Sequence, residues 1–328
     1  FPEIERVGTR EGNIVVAGLI SLKHLLMNGI ERVLSDPHAA LAGGILLGVE
    51  QSLGESLEDA FRNTGLIHIV VLSGYNVTIV AVAIASVLKH IGFGLKLRSA
   101  LSIGGIVAFA FVVGLGPTVV RASIMGALVV LAHASGRRSD MLRALALAAA
   151  VMVAINPLIL VYDPSFQLSA IATFGLMTLS PIIERWLMFV PTFGGLREIV
   201  MATVATQIAV LPLLVYMVGT FSLVSVPVNV LALPAVAPAM LFSFLAGLVG
   251  IVSRALALPL AMIAYALLGY ILFVVEIFNA LPFSHVLVPP MPLWVPLAMY
   301  VALGAWLFFA YRRNSYELGI PSLAERLG

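Results

Sequence analysis

The sequence predicts an all-α fold, a polytopic integral membrane helix bundle of about nine spans, some of them broken or re-entrant. Three observations indicate this class. Hydrophobic residues make up 61% of the 328 residues, and the mean hydropathy is +1.09. Charged residues make up only 10%, against about 25% in soluble domains. A bilayer suits such a chain, because each helix that crosses its hydrocarbon core needs about 20 apolar residues.

The N-terminal arm is more polar than the rest of the chain. Residues 1–12 are polar, and we expect them to be the end of a preceding domain, since the sequence begins at Phe1 rather than Met. Residues 13–34 show helical spacing of apolar positions, with Asn13 as a suitable N-cap. This pattern predicts an amphipathic helix in the membrane interface. A helix packed on a soluble neighbour is the alternative.

A short apolar segment follows the first helix. Residues 38–49 are apolar but too short to span a bilayer, which predicts a re-entrant or surface-packed segment. Residues 50–64 are polar with an acidic bias. We therefore expect residues 13–64 to form an arm and residues 65–328 to form the transmembrane domain.

Long apolar stretches then succeed one another to the end of the chain. The predicted spans are 66–88, 99–114, 118–135, 142–160, 166–183, 199–218, 222–250, 256–280 and 292–311. The stretch 222–250 is long for one span and contains Pro227, Pro234 and Pro238. We expect a broken or kinked helix there, because a helix proline lacks the amide that bonds the preceding turn.

Basic residues mark one set of alternate loops. The opposite short loops contain no Lys or Arg, and cytoplasmic loops are usually the basic ones. The pattern predicts an outer N-terminal segment and a cytoplasmic end of the last span. The basic residues in question are Lys89, Lys96, Arg98, Arg137, Arg138, Arg143, Arg185, Arg197, Arg254, Arg312 and Arg313.

The composition excludes several classes of site. The chain has no cysteine and therefore no disulfide or thiolate metal site. Its six histidines show no metalloprotease spacing. We find neither a Walker A motif nor a GxSxG elbow. We therefore expect no metal, no cofactor and no enzymatic activity in this chain.

Arg121 is the most informative polar residue inside a predicted span. It stands four residues after Pro117 in GLGPTVVRASIMGALVV. A charge in hydrocarbon costs several kcal/mol, so such residues usually face protein or water. The side chain either snorkels to the outer headgroups, lines an aqueous path as a fixed positive charge, or forms a structural ion pair.

Two further segments carry polar residues at membrane depth. Asp163 precedes Pro164, a pattern typical of a helix N-cap, and Gln167 lies deeper, where it can bond a neighbouring helix or a substrate. The other segment holds His68, Ser73, Gly74, Tyr75 and Asn76. These residues either pack helices or line a path.

The same segments resemble the ComEC family of bacterial DNA-uptake proteins. GLIHIVVLSGYNVTIV is similar to the family signature GLxHLLxVSGLHVxxx. The matches in this first stretch are Gly65, Leu66, His68, Ser73, Gly74 and Val77. A second stretch matches PSxxRAxxM…GRxxD through Pro117, Arg121, Ala122, Met125, Gly136, Arg137 and Asp140. A third matches NPxxxxxxSFQLSFxATxGL through Asn156, Pro157, Ser165, Phe166, Gln167, Leu168, Ser169, Ala172, Thr173 and Gly175.

The resemblance extends to the start of the chain, with two departures. FPEIERVGTREGN resembles the tail of the OB-like domain that precedes the family's membrane domain. The family usually has Leu-His where this chain has Tyr75-Asn76, which puts any role of a titrating histidine there in doubt. Many members also end in a metallo-β-lactamase-like domain, whose HxHxDH motif does not occur here. Either that domain lies beyond Gly328 or this is a short member.

The resemblance implies a channel that passes single-stranded DNA into the cytoplasm during natural transformation. Its implied partners are single-stranded DNA, the lipid bilayer, an external DNA receptor, a cytoplasmic helicase-like motor and further copies of the chain. The candidate lining residues are Arg121, Gln167, His68, Ser73 and Asn76. The candidate helix breaks or hinges are Gly74, Pro117, Pro164, Pro227 and Pro234. A transporter of a small solute and a non-transporting membrane scaffold are the alternatives.

Overall fold

The computed structural model describes residues 14–49, 53–70, 74–135, 140–192 and 195–318. The first helices are Ile14–Glu31 (α1), His38–Leu47 (α2), Glu55–Asn63 (α3), Ile67–Val70 (α4) and Gly74–His90 (α5). Next come Leu95–Val113 (α6), Pro117–Ala134 (α7), Met141–Ile155 (α8), Ile159–Tyr162 (α9) and Pro164–Trp186 (α10). The last elements are Leu196–Val218 (α11), Thr220–Ser222 (β1), Ser225–Val252 (α12), Arg254–Asn279 (α13), His285–Leu287 (β2) and Trp294–Leu318 (α14).

The helices confirm the membrane class that the sequence predicts. Within the described residues, six helices are long and apolar enough to cross a membrane, namely α6, α10, α11, α12, α13 and α14. Large apolar side chains such as Met262, Phe273 and Phe309 are exposed on the last two, which suits contact with lipid.

Three predicted spans correspond to shorter helices. The spans 66–88, 118–135 and 142–160 coincide with α5, α7 and α8, which have 17, 18 and 15 residues. The predicted span 142–160 was too long, because α8 ends at Ile155 and the one-turn helix α9 follows. Asn156 precedes Pro157 and has an extended backbone, the conformation that a following proline favours. The total of nine crossings stays a prediction.

Helix α2 lies at the centre of the bundle. All its residues after His38 are buried, and α1, α4, α6, α12 and α13 surround it. Its glycines permit close packing, since a Cβ on Gly43 would lie 2.8 Å from Met27 Sδ and one on Gly44 would lie 3.2 Å from Val70 Cγ1. The prediction of a surface-packed segment was therefore wrong, and the re-entrant alternative fits its ten residues.

Helix α1 packs along α12 through glycines on both helices. A Cβ on Gly247 would lie 2.7 Å from Ile30 Cγ1, and one on Gly250 would lie 2.7 Å from the carbonyl oxygen of Gly29. Such small residues let two helix backbones approach closely in a membrane protein. The partner of α1 is thus a long apolar helix rather than a soluble neighbour. Its location in the membrane interface stays a prediction.

Helix α12 is continuous over 28 residues, from Ser225 to Val252. Pro227 lies in its first turn, and Pro234 and Pro238 lie inside it. The helix is therefore not broken at these prolines, and the alternative of a kink stays a prediction. Proline is tolerated in the first turn, where the amide has no partner within the helix. Deeper prolines are tolerated when neighbouring groups satisfy the freed backbone atoms.

In three helices, a tyrosine from a neighbouring helix bonds the carbonyl next to the one that a proline leaves without its amide. The hydroxyl of Tyr270 on α13 donates to the carbonyl of Leu231 at 3.2 Å, three residues before Pro234. On α14, the hydroxyl of Tyr300 donates to the carbonyl of Ala209 at 3.2 Å, three residues before Pro212.

A third tyrosine also bonds the carbonyl three residues before a proline. Tyr311 on α14 donates to the carbonyl of Thr178 at 2.8 Å, three residues before Pro181. In a regular helix each of these carbonyls bonds the amide of the residue that follows the proline. Tyrosines of α13 and α14 therefore contact the proline-containing turns of α10, α11 and α12.

A short two-stranded ribbon accompanies the all-α bundle, which has almost no other strand among its described residues. Strands β1 and β2 pair antiparallel, with Thr220 opposite Leu287 and Ser222 opposite His285. The strands follow α11 and α13, whose ends therefore lie at the same end of the bundle. The amide of Gln207 donates to the carbonyl of Ser222 at 3.3 Å, which ties the ribbon to α11.

We predict that Gly250→Ala destabilises the protein by about 1–3 kcal/mol, because the new methyl group overpacks the contact between α1 and α12. Gly304→Ala is the matched control, since no atom lies within 4 Å of a Cβ at Gly304. Thermal unfolding of the purified protein in detergent measures both. Equal unfolding temperatures for the two variants would contradict the close crossing.

We predict that Tyr300→Phe costs about 1–2 kcal/mol, because the carbonyl of Ala209 loses its donor. The cost should shrink when Pro212→Ala is also present, since an alanine at 212 restores the regular helix bonds. A double-mutant cycle on unfolding free energies measures this coupling. Strictly additive effects would show that tyrosine and proline are independent.

Candidate functional site

The segment between α3 and α4 changes direction at Gly65. Gly65 has a φ of 78°, and a Cβ there would lie 2.6 Å from Ser225 Cβ on α12. His68 Nδ1 lies 2.9 Å from the carbonyl oxygen of Gly65, at hydrogen-bond distance. The residue is exposed, so the hydrogen bond to Gly65 holds an accessible imidazole against the turn.

Asn76 on α5 bonds the backbone of two other helices. Its side-chain amide donates to the carbonyl of Ile45 on α2 and to that of Ile69 on α4, each at 3.1 Å. The residue has no exposed surface. The sequence suggested it as a lining residue, and the structure places it inside the protein, where it holds α5 against α2 and α4.

Arg121 belongs to α7 and contacts both α5 and α10. It lies in the second turn of α7 and is only 7% exposed. One terminal nitrogen, Nη1, donates to the hydroxyl of Thr173 on α10 and lies 3.8 Å from Met125 Sδ. The other, Nη2, faces α5, since a Cβ on Gly74 would lie 3.2 Å from it.

The partners of Arg121 in the described part of the chain are neutral. The hydroxyl of Thr173 donates its own hydrogen to the carbonyl of Ser169 at 2.8 Å and so offers Arg121 a lone pair. Arg121 Nε is buried and has no hydrogen-bond partner among the described residues. The ion pairs there join Arg62 and Arg143 to nearby carboxylates and do not include Arg121. Its burial between helices disfavours snorkelling.

Asp163 and Gln167 both satisfy the turn that begins α10. Asp163 is the N-cap of α10 and accepts from the amide of Phe166 at 3.0 Å, which confirms the cap interpretation. Gln167 donates to the carbonyls of Leu160 and Val161, each at 2.9 Å. These two hydrogen bonds tie α9 to α10 and give Gln167 a structural role.

Asp140 and Asn156, two further polar residues of the motifs, also bond nearby backbone. Asp140 caps α8 by accepting from the amides of Leu142 and Arg143. Asn156 Oδ1 accepts from the amide of Leu158 at 3.2 Å. Arg121 differs from these side chains, because its shortest bond reaches a side chain 52 residues away.

The remaining candidates are placed as follows. Gly74, Pro117 and Pro164 are the first residues of α5, α7 and α10, so each marks a helix start. Ser73 lies outside the described residues, as do residues 1–12 and Asn13. Among the described residues, no cluster of three His, Asp or Glu could hold a metal ion.

The sequence did not identify Thr173 as the partner of Arg121. Thr173 stands in the ATFG part of the third motif. Its match to that motif was the feature of the sequence that could have marked it as a site residue. The structure brings Gly74, Arg121 and Thr173 together. Gln167 lies six residues before Thr173, about 9 Å along α10. Asn76, although close to Gly74 in sequence, bonds α2 and α4 instead.

We predict that Asn76→Leu destabilises the protein by about 2–4 kcal/mol, because two buried carbonyls lose their donor. Asn76→His should be less destabilising, since a neutral imidazole keeps one donor. Thr78→Val is the control, because Thr78 is exposed and bonds only its own helix. Thermal unfolding in detergent measures all three. An Asn76→Leu protein as stable as the control would contradict the role of Asn76 as a structural bridge.

Comparison with known proteins identifies the family. A family model described as Competence protein matches residues 45–313, a range that includes the whole candidate site. The chain is also similar to ComE operon protein 3 of Bacillus subtilis (strain 168), with 24% identity over 216 residues. That alignment covers 66% of this chain but 27% of the relative's length. No solved structure matches the chain.

These matches confirm the resemblance found in the motifs, and the apolar helices agree with it. The family match covers most of the chain. The chain is therefore a multi-pass membrane protein that belongs to the Competence protein family.

Proposed function

We propose that this chain forms an inner-membrane channel that passes single-stranded DNA into the cytoplasm during natural transformation. The family match supports a role in competence and DNA uptake. The observation that carries the finer proposal is Arg121, a buried cation that pairs with no carboxylate among the described residues.

A channel for DNA has to solve an electrostatic problem. Each nucleotide brings one negative charge, which is costly to move through a medium of low dielectric constant. A fixed positive charge lowers that cost, provided that binding stays weak enough for the strand to move on. Arg121 supplies such a charge, because no carboxylate of the described residues pairs with it.

The basic loops support an orientation for this path. Lys89, Arg185 and Arg312 lie at or near the C-terminal ends of α5, α10 and α14, and basic ends usually face the cytoplasm. The first residues of α5, α7 and α10 then lie on the outer side, as does the N-terminal segment. In this orientation a strand that enters from outside meets Arg121 early.

The driving force comes from partners in this proposal. The sequence contains no Walker A motif, so we assign the energy source to a cytoplasmic helicase-like motor and the capture of DNA to an external receptor. The chain itself provides the path and carries no catalytic step. Polar contacts and ordered water along the path complement the single charge of Arg121.

We predict that Arg121→Gln lowers entry of labelled DNA at least tenfold in cells that lack the native gene and carry the full-length protein. A tenfold fall corresponds to about 1.4 kcal/mol at the barrier. Arg121→Lys should retain part of the entry, because it keeps the charge. Arg143→Gln is the matched control, since the side chain of Arg143 is 67% exposed and pairs with Asp140.

Membrane levels of each variant are measured by immunoblot in the same cells. Normal DNA entry with Arg121→Gln at normal level would contradict the role of Arg121 in the path. Failure of the unmodified protein to restore entry, although it reaches the membrane, would favour a solute transporter or a scaffold.

A further inference from the structure

We propose that Thr173 positions Arg121 for the DNA strand. Its hydroxyl holds the guanidinium as a neutral acceptor, so the side chain is fixed while its positive charge stays available to the strand. This inference rests on the proposed function and deepens it, because it adds the residue that keeps the charge of Arg121 both ordered and uncancelled. Thr173 acts through Arg121 and is therefore a positioning residue.

The hydroxyl of Thr173 offers Arg121 an oxygen of fixed direction. A hydroxyl has a single hydrogen, and Thr173 donates it to the carbonyl of Ser169, four residues earlier on α10, at 2.8 Å. Threonines within helices often form this bond, and a β-branched side chain has few rotamers there. The oxygen is therefore held in place and can only accept from Nη1 of Arg121.

This contact orders a long side chain across two helices. Arg121 belongs to α7 and Thr173 to α10, 52 residues later, and Arg121 is only 7% exposed. A free arginine has many rotamers, and a ligand that binds it must order it. Held by Thr173, the guanidinium keeps one geometry before a strand arrives. Thr173 therefore reduces the loss of side-chain freedom that accompanies binding.

No carboxylate takes this role on the helices that meet at Arg121. As the structure describes them, α5 and α7 contain no Asp or Glu, and α10 contains only Glu184. Glu184 lies eleven residues from Thr173, about 16 Å along the helix. Asp163, the N-cap of α10, lies ten residues to the other side, about 15 Å away. The partner that these helices give Arg121 is thus a neutral one.

A neutral partner and a charged partner have different consequences for a phosphate. Both order the guanidinium, but a carboxylate also cancels its charge and repels the phosphate of an approaching nucleotide. The hydroxyl of Thr173 leaves the attraction between Arg121 and the phosphate in place. An arginine paired with a carboxylate would be well ordered and yet obstruct the path. This contrast distinguishes a positioning role of Thr173 from a purely structural one.

The test is entry of labelled DNA into cells that lack the native gene and carry the full-length protein, with membrane levels measured by immunoblot. Thr173→Asp and Thr173→Asn form a matched pair, since they differ in charge but hardly in shape. Thr173→Ser keeps the hydroxyl, and Thr173→Val removes it at nearly equal volume. The control is Thr178→Val, because Thr178 on the same helix also donates to the carbonyl four residues earlier, at 2.8 Å, and has no bond to Arg121.

The expected entry differs between variants. Thr173→Asp should lower it about tenfold, as far as Arg121→Gln does, because both remove the available charge. Thr173→Asn and Thr173→Ser should retain most of the entry, since each keeps a neutral acceptor. Thr173→Val should lower entry several-fold, whereas Thr178→Val should match the unmodified protein. In the Arg121→Gln background, Thr173→Val should cause no further fall, because its effect passes through Arg121.

Stability should follow a different order from DNA entry. Thermal unfolding of the purified proteins in detergent should place Thr173→Asp at or above Thr173→Asn, because a carboxylate bonds a guanidinium more strongly than an amide does. A purely structural role of Thr173 would instead make the variant with the more stable contact the more active one.

Three results would overturn the positioning role. One is normal entry with Thr173→Asp at normal membrane level. The second is equal entry with Thr173→Val and Thr178→Val. The third is a further fall when Thr173→Val is added to Arg121→Gln, which would show an effect independent of Arg121. If Thr173→Asp does not reach the membrane, the comparison of Thr173→Ser with Thr173→Val and the double variant still decide the question.

The same experiment separates this inference from the proposed function. Normal entry with Arg121→Gln would remove the path through Arg121 and with it the positioning role. A loss of entry with Arg121→Gln, combined with normal entry for Thr173→Val and Thr173→Asp, would keep the path and remove only the role of Thr173.

Discussion

Inside a membrane no bulk water is present to satisfy a free backbone amide or carbonyl, so the protein must satisfy each one itself. Regular helices do so for most of this chain, and every irregular point needs a side chain. Asn76 donates to carbonyls on α2 and α4, Gln167 to two carbonyls of α9, and Tyr300 to a carbonyl beside a proline. The contact of α5 with α2 and α4, the turn before α10 and the proline-containing helices therefore depend on one physical requirement.

The sequence predicts the parts of this fold that local pattern controls. Hydropathy located the long apolar helices, and the Asp163-Pro164 pair indicated a helix cap, because a cap depends on neighbouring residues. The continuity of α12 was not predictable, since the hydroxyl beside Pro234 comes from Tyr270, 39 residues later. The burial of α2 was missed because ten apolar residues suit a surface segment as well as a central helix.

The candidate site was predictable to a similar extent. Arg121 attracts attention in the sequence because a charge inside an apolar span is costly. Its contacts with Gly74 and Thr173 depend on three helices meeting, which no local pattern reveals. Gln167 and Asn76 looked equally suitable as lining residues, yet their hydrogen bonds go to backbone carbonyls. What distinguishes Arg121 is the absence, among the described residues, of any negative group that would neutralise it.

The tyrosines of α14 have a consequence for the order in which the protein is assembled. Tyr300 bonds a residue 91 positions earlier, and Tyr311 bonds one 133 positions earlier. During synthesis α10 and α11 therefore leave the ribosome long before the hydroxyls that satisfy their proline turns exist. Until α14 is inserted, those carbonyls have only the amides of their own helix as protein donors. The last helix of the described chain thus completes helices that were made much earlier, and the bundle reaches its final backbone bonding only when synthesis of this region ends.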